Sequence, residues 1–339
     1  VQLPTITTLG LTTLVLACGA RSPIEGDRGP FEASPSRSDA GAPRDAAAAA
    51  DSAPACAPGQ GPTPLGPRSR FASDLRIDER YVYAAFDSNG PNTTAGVYRV
   101  PKRGGDAVVL ESTEGSIRAI ALSGDEVYWT GWGADQGGIG HVRARRVDGS
   151  APARTLADGI EHPGGVAVSG DDVYVGGATT LLRVPRAGGA ATAVTPSRYA
   201  TRIVAEASTV FFLEARGLSS VAPDGSRLAM ISGNVPSFAV DATTLFFPSW
   251  INNAYTIARR ERAGGPILEI AQAKGGLVAV DETDVYWFGA EGIMATPKTG
   301  GSPRLAVARV VDGGSAMAVD ASCVYWAAAD GVMKAAKSR

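Results

Sequence analysis

The chain has little of what enzymes usually display. Of its 339 residues only two are histidine, His141 and His162, and only three are cysteine. Aromatic residues make up 7% and charged residues 19%. Lys and Arg number 32 against 34 Asp and Glu, a formal net charge of −2, and no long basic run occurs. Phosphate backbones are bound by clustered positive surface, so nucleic acid is not an expected partner. No His-x-His or Cys-x-x-Cys spacing suggests a zinc site, so no metal and no cofactor is expected. No Ser–His–Asp arrangement, phosphate-cradling glycine loop or clustered carboxylates stand out, and no stretch carries the apolar period of a helix. The apolar stretch Leu9–Ala17 is too short to span a bilayer, which needs about 20 residues.

What is there is repetition. An apolar–aromatic pair returns as Val82-Tyr83, Val127-Tyr128, Val173-Tyr174, Val210-Phe211, Leu245-Phe246, Val285-Tyr286 and Val324-Tyr325, spaced 35–46 residues apart. Short alternating strands flank each pair, and glycine-rich turns such as "KRGGD", "RAGGA" and "KTGGS" separate them. A period near 40 built this way predicts an all-β chain, a β-propeller with one blade per repeat. Seven phrases predict seven blades. Six is the alternative if the repeats of Tyr83 and Tyr325 complete one blade between them.

Residues 116–157 show the grammar of one blade. Ile117–Leu122 is the inner strand a, "SGDE" turns the chain, and Val127-Tyr128-Trp129 opens strand b. Gly140–Arg146 is strand c and Ala153–Leu156 strand d. Trp129, Trp287 and Trp326 recur beside the aligned Tyr, which predicts wedges between blades. The acids of the a–b turns (Asp125, Asp171, Asp241, Asp281, Asp320) recur too regularly to form a site and are assigned to turn chemistry.

The run "VYWTG…HVRARRVDGS" resembles the YWTD propeller repeat of receptor ectodomains. Other repeats, such as "GGLVAVDETDVYWFGAEGIMATPKTGG", look like a bacterial family of secreted propeller repeats, many carried on lipoproteins. The resemblance covers residues 75–337 and implies the fold. It implies little about the ligand, because such propellers bind proteins, peptides, sugars and small molecules alike.

Residues 1–17 fit a signal peptide, and "VLAC" at Val15–Cys18 resembles the bacterial lipobox, although no Lys or Arg precedes Cys18. That resemblance implies lipidation of Cys18 and a membrane anchor in the cell envelope. Gly19 in place of Asp points to the outer membrane. Residues 18–70 hold nine of the 22 prolines, and the one aromatic among them is Phe31. Such a segment cannot bury enough apolar area to order itself and is expected to be a disordered tether. Residues 71–339 are then the propeller, expected to act as a monomer. With Cys18 modified, Cys56 and Cys323 remain. The last repeat stops after three strands, and propellers commonly close by borrowing a strand from the other end of the chain. A Cys56–Cys323 bridge would latch that closure, contributing at most roughly 5 kcal/mol by loop entropy. The alternative is one buried and one free thiol.

The b–c loops are uneven, and long loops are where function concentrates. Trp132 lies in "TGWGADQGGIG" beside Asp135, and Trp250 in "PSWINNAYT" beside Asn252 and Asn253. Each set could stack a sugar ring or anchor a protein. His162, in the d–a loop "DGIEHPGG", should lie on the same face as Trp132. Arg118 and Arg202 occupy equivalent places at the start of strand a, near the channel mouth, where they could meet an anion. The function expected is therefore a non-enzymatic envelope module that binds a protein or glycan, or scaffolds an assembly. The rival is a lyase or hydrolase using His162, since virginiamycin-type lyases are seven-bladed propellers with a histidine acid.

Overall fold

In the computed structural model the described residues are 55–68, 72–86, 95–113, 115–133, 137–251, 253–273, 276–308, 310, 314–328 and 331–338. The expected signal peptide, Cys18, Asp135, Asn252 and the tether up to residue 54 lie outside them.

Seven four-stranded antiparallel sheets make seven blades. In blade 2 the strands are Ser116–Ser123, Glu126–Trp132, Ile139–Arg146 and Arg154–Glu161, hydrogen-bonded in chain order. Blades 1 and 3 to 6 repeat this order. Blade 7 differs: Met317–Val319, Cys323–Ala328 and Gly331–Ala336 are joined at the outer edge by Thr63–Arg68, which pairs antiparallel with Gly331–Ala336. Residues 55–68, assigned to the tether on composition, are thus part of the ring. Cys56 and Cys323 form a disulfide with Cα atoms 5.7 Å apart, and both residues are buried.

Each of the seven aligned pairs falls in strand b, and each serves two seams. In blade 2 the Tyr128 side chain enters a cluster with Val166, Val173 and Val175 of blade 3. Val127 and Trp129 point the other way, into a cluster with Tyr83 and Val97 of blade 1. Alternation along a strand turns a three-residue phrase into two interfaces. The same division holds around the ring, so the core is seven clusters, one per seam. Trp129, Trp287 and Trp326 are the expected wedges, each at most 2% exposed.

The recurrent turn acids do more than shape turns. Asp281 accepts the Thr283 and Asp284 amides on Oδ1 and the Tyr286 hydroxyl on Oδ2. Lys337 of blade 7 donates to the same Oδ2 at 2.5 Å. Asp320 repeats the arrangement with Tyr325 and with Lys102 of blade 1. Asp241 takes Lys298, whose ammonium also lies over the Phe246 ring. Glu126 takes Arg186, and Glu206 takes Arg262. In each case a cation just after strand c reaches back to the preceding blade. The corresponding position holds Val147 in blade 2 and Ala222 in blade 4, so the seams between blades 1 and 2 and between blades 3 and 4 lack this latch. Burial pushes the Asp281 carboxyl up, but the bonds from Lys337, Tyr286 and the turn amides outweigh it and leave a pKa of about 2.

Candidate functional site

Three of the expected residues converge. Strand b of blade 2 ends at Trp132. His162 follows strand d of the same blade and donates its backbone N–H to Gly138 O at 2.6 Å. The imidazole meets the Trp132 ring edge to face, centroids 6.1 Å apart. It also meets the Tyr199 ring, again at 6.1 Å. The Arg118 guanidinium lies over the Trp132 ring, 4.9 Å from its centroid. The result is a row, Arg118–Trp132–His162–Tyr199, running from blade 2 to the loop that joins blades 3 and 4.

Backbone geometry holds this row under strain. His162 and Tyr199 have φ of 43° and 51°, left-handed values that side chains rarely adopt. A Cβ at Gly138 would stand 2.2 Å from the imidazole, so only glycine leaves the ring its place. Blade 3 supplies the support through its short b–c loop. Ala178 N–H donates to Glu161 O, Tyr199 N–H to Ala178 O and Ser197 N–H to Thr179 O. Gly165 N–H donates to Ala200 O at 2.8 Å. A loop that looks too short to matter thus spaces the two loops carrying His162 and Tyr199.

Tyr199 is 55% exposed, and sequence reasoning passed over it. Trp132, expected in a loop, is the last residue of strand b, and what found it was its departure from the repeating aromatic position, a criterion that Tyr199 also meets.

The other expected residues lie elsewhere. Trp250 is in strand b of blade 5, not in a loop. Thr244–Ile251 pairs with Ala254–Glu261 as far as Ile251↔Ala254, and Asn253, just before the second strand, has φ 63°. Trp250 packs against Tyr255 across the ladder and is 64% exposed. Blades 3 and 4 separate it from the blade 2 residues of the row. Arg118 and Arg202 are not equivalent. Arg202 pairs with Leu213, the counterpart of Thr130, whose partner is Ala119. The register shifts between Ile117 and Ala119, and Arg118 sits at that irregularity, one position off. One residue of offset reverses the face, which sends Arg118 to Trp132 and Arg202 to Phe238. His141 pairs with Gly131 within the sheet, and burial lowers its pKa. Among the described residues no group of three or more His, Cys, Asp or Glu is arranged to hold a metal.

No family model and no curated protein matches the chain. Solved structures do match. Virginiamycin B lyase of Staphylococcus aureus has a TM-score of 0.62 at 13% identity, over 82% of this chain and 98% of that one. The extracellular domain of a one-component system of B. thetaiotaomicron has 0.59 at 10%, over 78% of this chain and 38% of the other. A computationally designed protein has 0.54 at 13%, over 82% of this chain and all of its own. At these identities the likeness establishes a seven-bladed β-propeller and no more.

Proposed function

We propose that this protein is a non-enzymatic binding or scaffold module of the bacterial cell envelope, anchored by lipid on Cys18, whose propeller docks a protein or glycan on the Arg118–Trp132–His162–Tyr199 row. The observation that carries this is the row itself, an indole and a phenol joined through an imidazole and capped by a guanidinium. Aromatic faces beside a guanidinium are what sugar rings and interface side chains seat on, and Trp, Tyr and Arg dominate binding energy at interfaces. The neighbours of His162 also favour binding. Its imidazole lies between two aromatic rings, Trp132 and Tyr199, a setting suited to stacking against a ligand. Envelope placement rests on the lipobox resemblance and agrees with the disulfide, a bond typical of oxidising compartments.

The test is affinity capture from native envelope extract, with the full chain as bait against Trp132→Ala/Tyr199→Ala, both first shown to melt alike. A partner held by the wild type and lost by the variant supports docking on the row; equal capture by both would refute it. Loss of detergent-phase partitioning in Cys18→Ala checks the anchor.

A further inference from the structure

The innermost strands carry almost no charge, and the exceptions are concentrated. At the register of Arg76, opposite the aligned aromatic, the other blades place Ala121, Ala167, Val204, Ala239, Ala279 and Ala318. Two residues earlier they place alanine, glycine, serine or leucine, except for Asp74 in blade 1 and Arg202 in blade 4. Apart from Arg118, whose guanidinium is turned over Trp132, the seven inner strands thus carry two guanidiniums and one carboxylate among small side chains.

That carboxylate is fully committed within its own corner. Asp74 Oδ1 accepts the Leu75 amide at 2.8 Å and Arg76 Nη1 at 2.5 Å. Its Oδ2 accepts the Ile120 amide at 2.9 Å. Arg76 also donates to Leu75 O. Arg202 has no such provision. Its guanidinium lies 5.8 Å from the Phe238 ring centroid, and no carboxylate is within ion-pair reach of it among the described residues. Burial, reinforced by the charge of Arg76 and only partly offset by that of Asp74, lowers its pKa to about 10, so it stays charged at neutral pH. An excess positive charge held away from bulk water is costly unless paired.

We propose that the central channel holds a binding site for one small oxyanion, a carboxylate or a phosphate, clasped by Arg202 on one side and Arg76 on the other, with Asp74 setting the net charge to one. Guanidinium forks suit pairs of carboxylate or phosphate oxygens, which they grip through two parallel N–H bonds. The other blades place small, uncharged side chains at the same registers, so no other charge competes there, and Asp74 keeps the site to a single negative charge. The site is independent of the aromatic row, so its failure would leave the docking proposal untouched.

Thermal melts of the full chain test this, with sodium acetate or sodium phosphate titrated at ionic strength held constant with sodium chloride. The wild type should show a saturable rise of about 2–5 °C with one or both oxyanions. A larger rise with acetate identifies a carboxylate site, and a larger rise with phosphate a phosphoryl site. Arg202→Met keeps length without charge and should abolish the rise. It should fold, because replacing a half-buried charge that has no ion-pair partner with an apolar side chain is commonly neutral or stabilising. Asp74→Asn should act the other way, raising apparent affinity about 3–10-fold by removing one negative charge. Equal rises in wild type and Arg202→Met, no rise with either oxyanion, or weaker binding by Asp74→Asn would each overturn the proposal.

Discussion

Reduction of the Cys56–Cys323 bond should lower stability without unfolding the ring. The bond joins residues 267 apart. Loop entropy for so long a closure gives roughly 5 kcal/mol as an upper figure. Part of the constraint survives reduction, because Thr63–Arg68 still pairs with Gly331–Ala336, and Lys334 Nζ still donates to Ala55 O at 3.0 Å. A loss of about 3–5 kcal/mol is therefore expected. A ring of this length unfolds with an entropy of roughly 0.6 kcal/mol/K, so Tm should fall by about 5–9 °C. The assay is calorimetry of the oxidised protein against protein reduced in denaturant, alkylated and refolded. Cys56→Ala/Cys323→Ala, melted with and without reductant, serves as control. A shift below about 1 °C, or an equal response to reductant in the double variant, would refute the view that this bond closes the ring.

Lys337→Met should leave Asp281 buried without its cation and cost about 1–3 kcal/mol in denaturant unfolding. The Asp281 carboxyl titrates near 2 when folded against 3.8 ordinarily, so it binds its proton less readily in the native state. Its contribution, about 2 kcal/mol, is present above pH 4 and fades as pH falls from 4 toward 2. Lys337→Met should flatten that acid limb of the stability curve; an unchanged limb would place the contribution elsewhere. At Gly176 a Cβ would stand 1.9 Å from Ala200 O, so Gly176→Ala should push away the loop bearing Tyr199. It should cost about 1–3 kcal/mol and weaken partner capture, whereas unaltered capture would show that the loop does not position the row.

The fold was legible because its information is periodic. Val-Tyr phrases mark strand b, and the side-chain alternation that makes them strands also makes them seams. Ring closure was legible from a last repeat with three strands and two cysteines left over. The site was legible only in part. Trp132 and His162 stood out as departures from the repeat, and the fold brings their rings together. Arg118 and Arg202 were misaligned because the irregularity between Ile117 and Ala119 leaves the hydrophobic pattern intact while shifting the register by one. Trp250 was assigned to a loop because "PSWINN" begins with a proline and ends in turn residues. The ladder nevertheless runs through Pro248, whose register partner is Ile257. The latches escaped notice because each joins residues of different repeats, 56 apart in the pair Lys337–Asp281.

The bridge also decides how the ring bears load. A pull arriving at Ala55 meets Cys56 before it meets the strand Thr63–Arg68. Through the sulfur bond it passes straight into Cys323, at the head of a strand flanked on both sides by others of its blade. The edge strand is bypassed, so tension cannot peel it away one hydrogen bond at a time. Reduction would reroute the same pull along that edge, turning a covalent strut into a zipper.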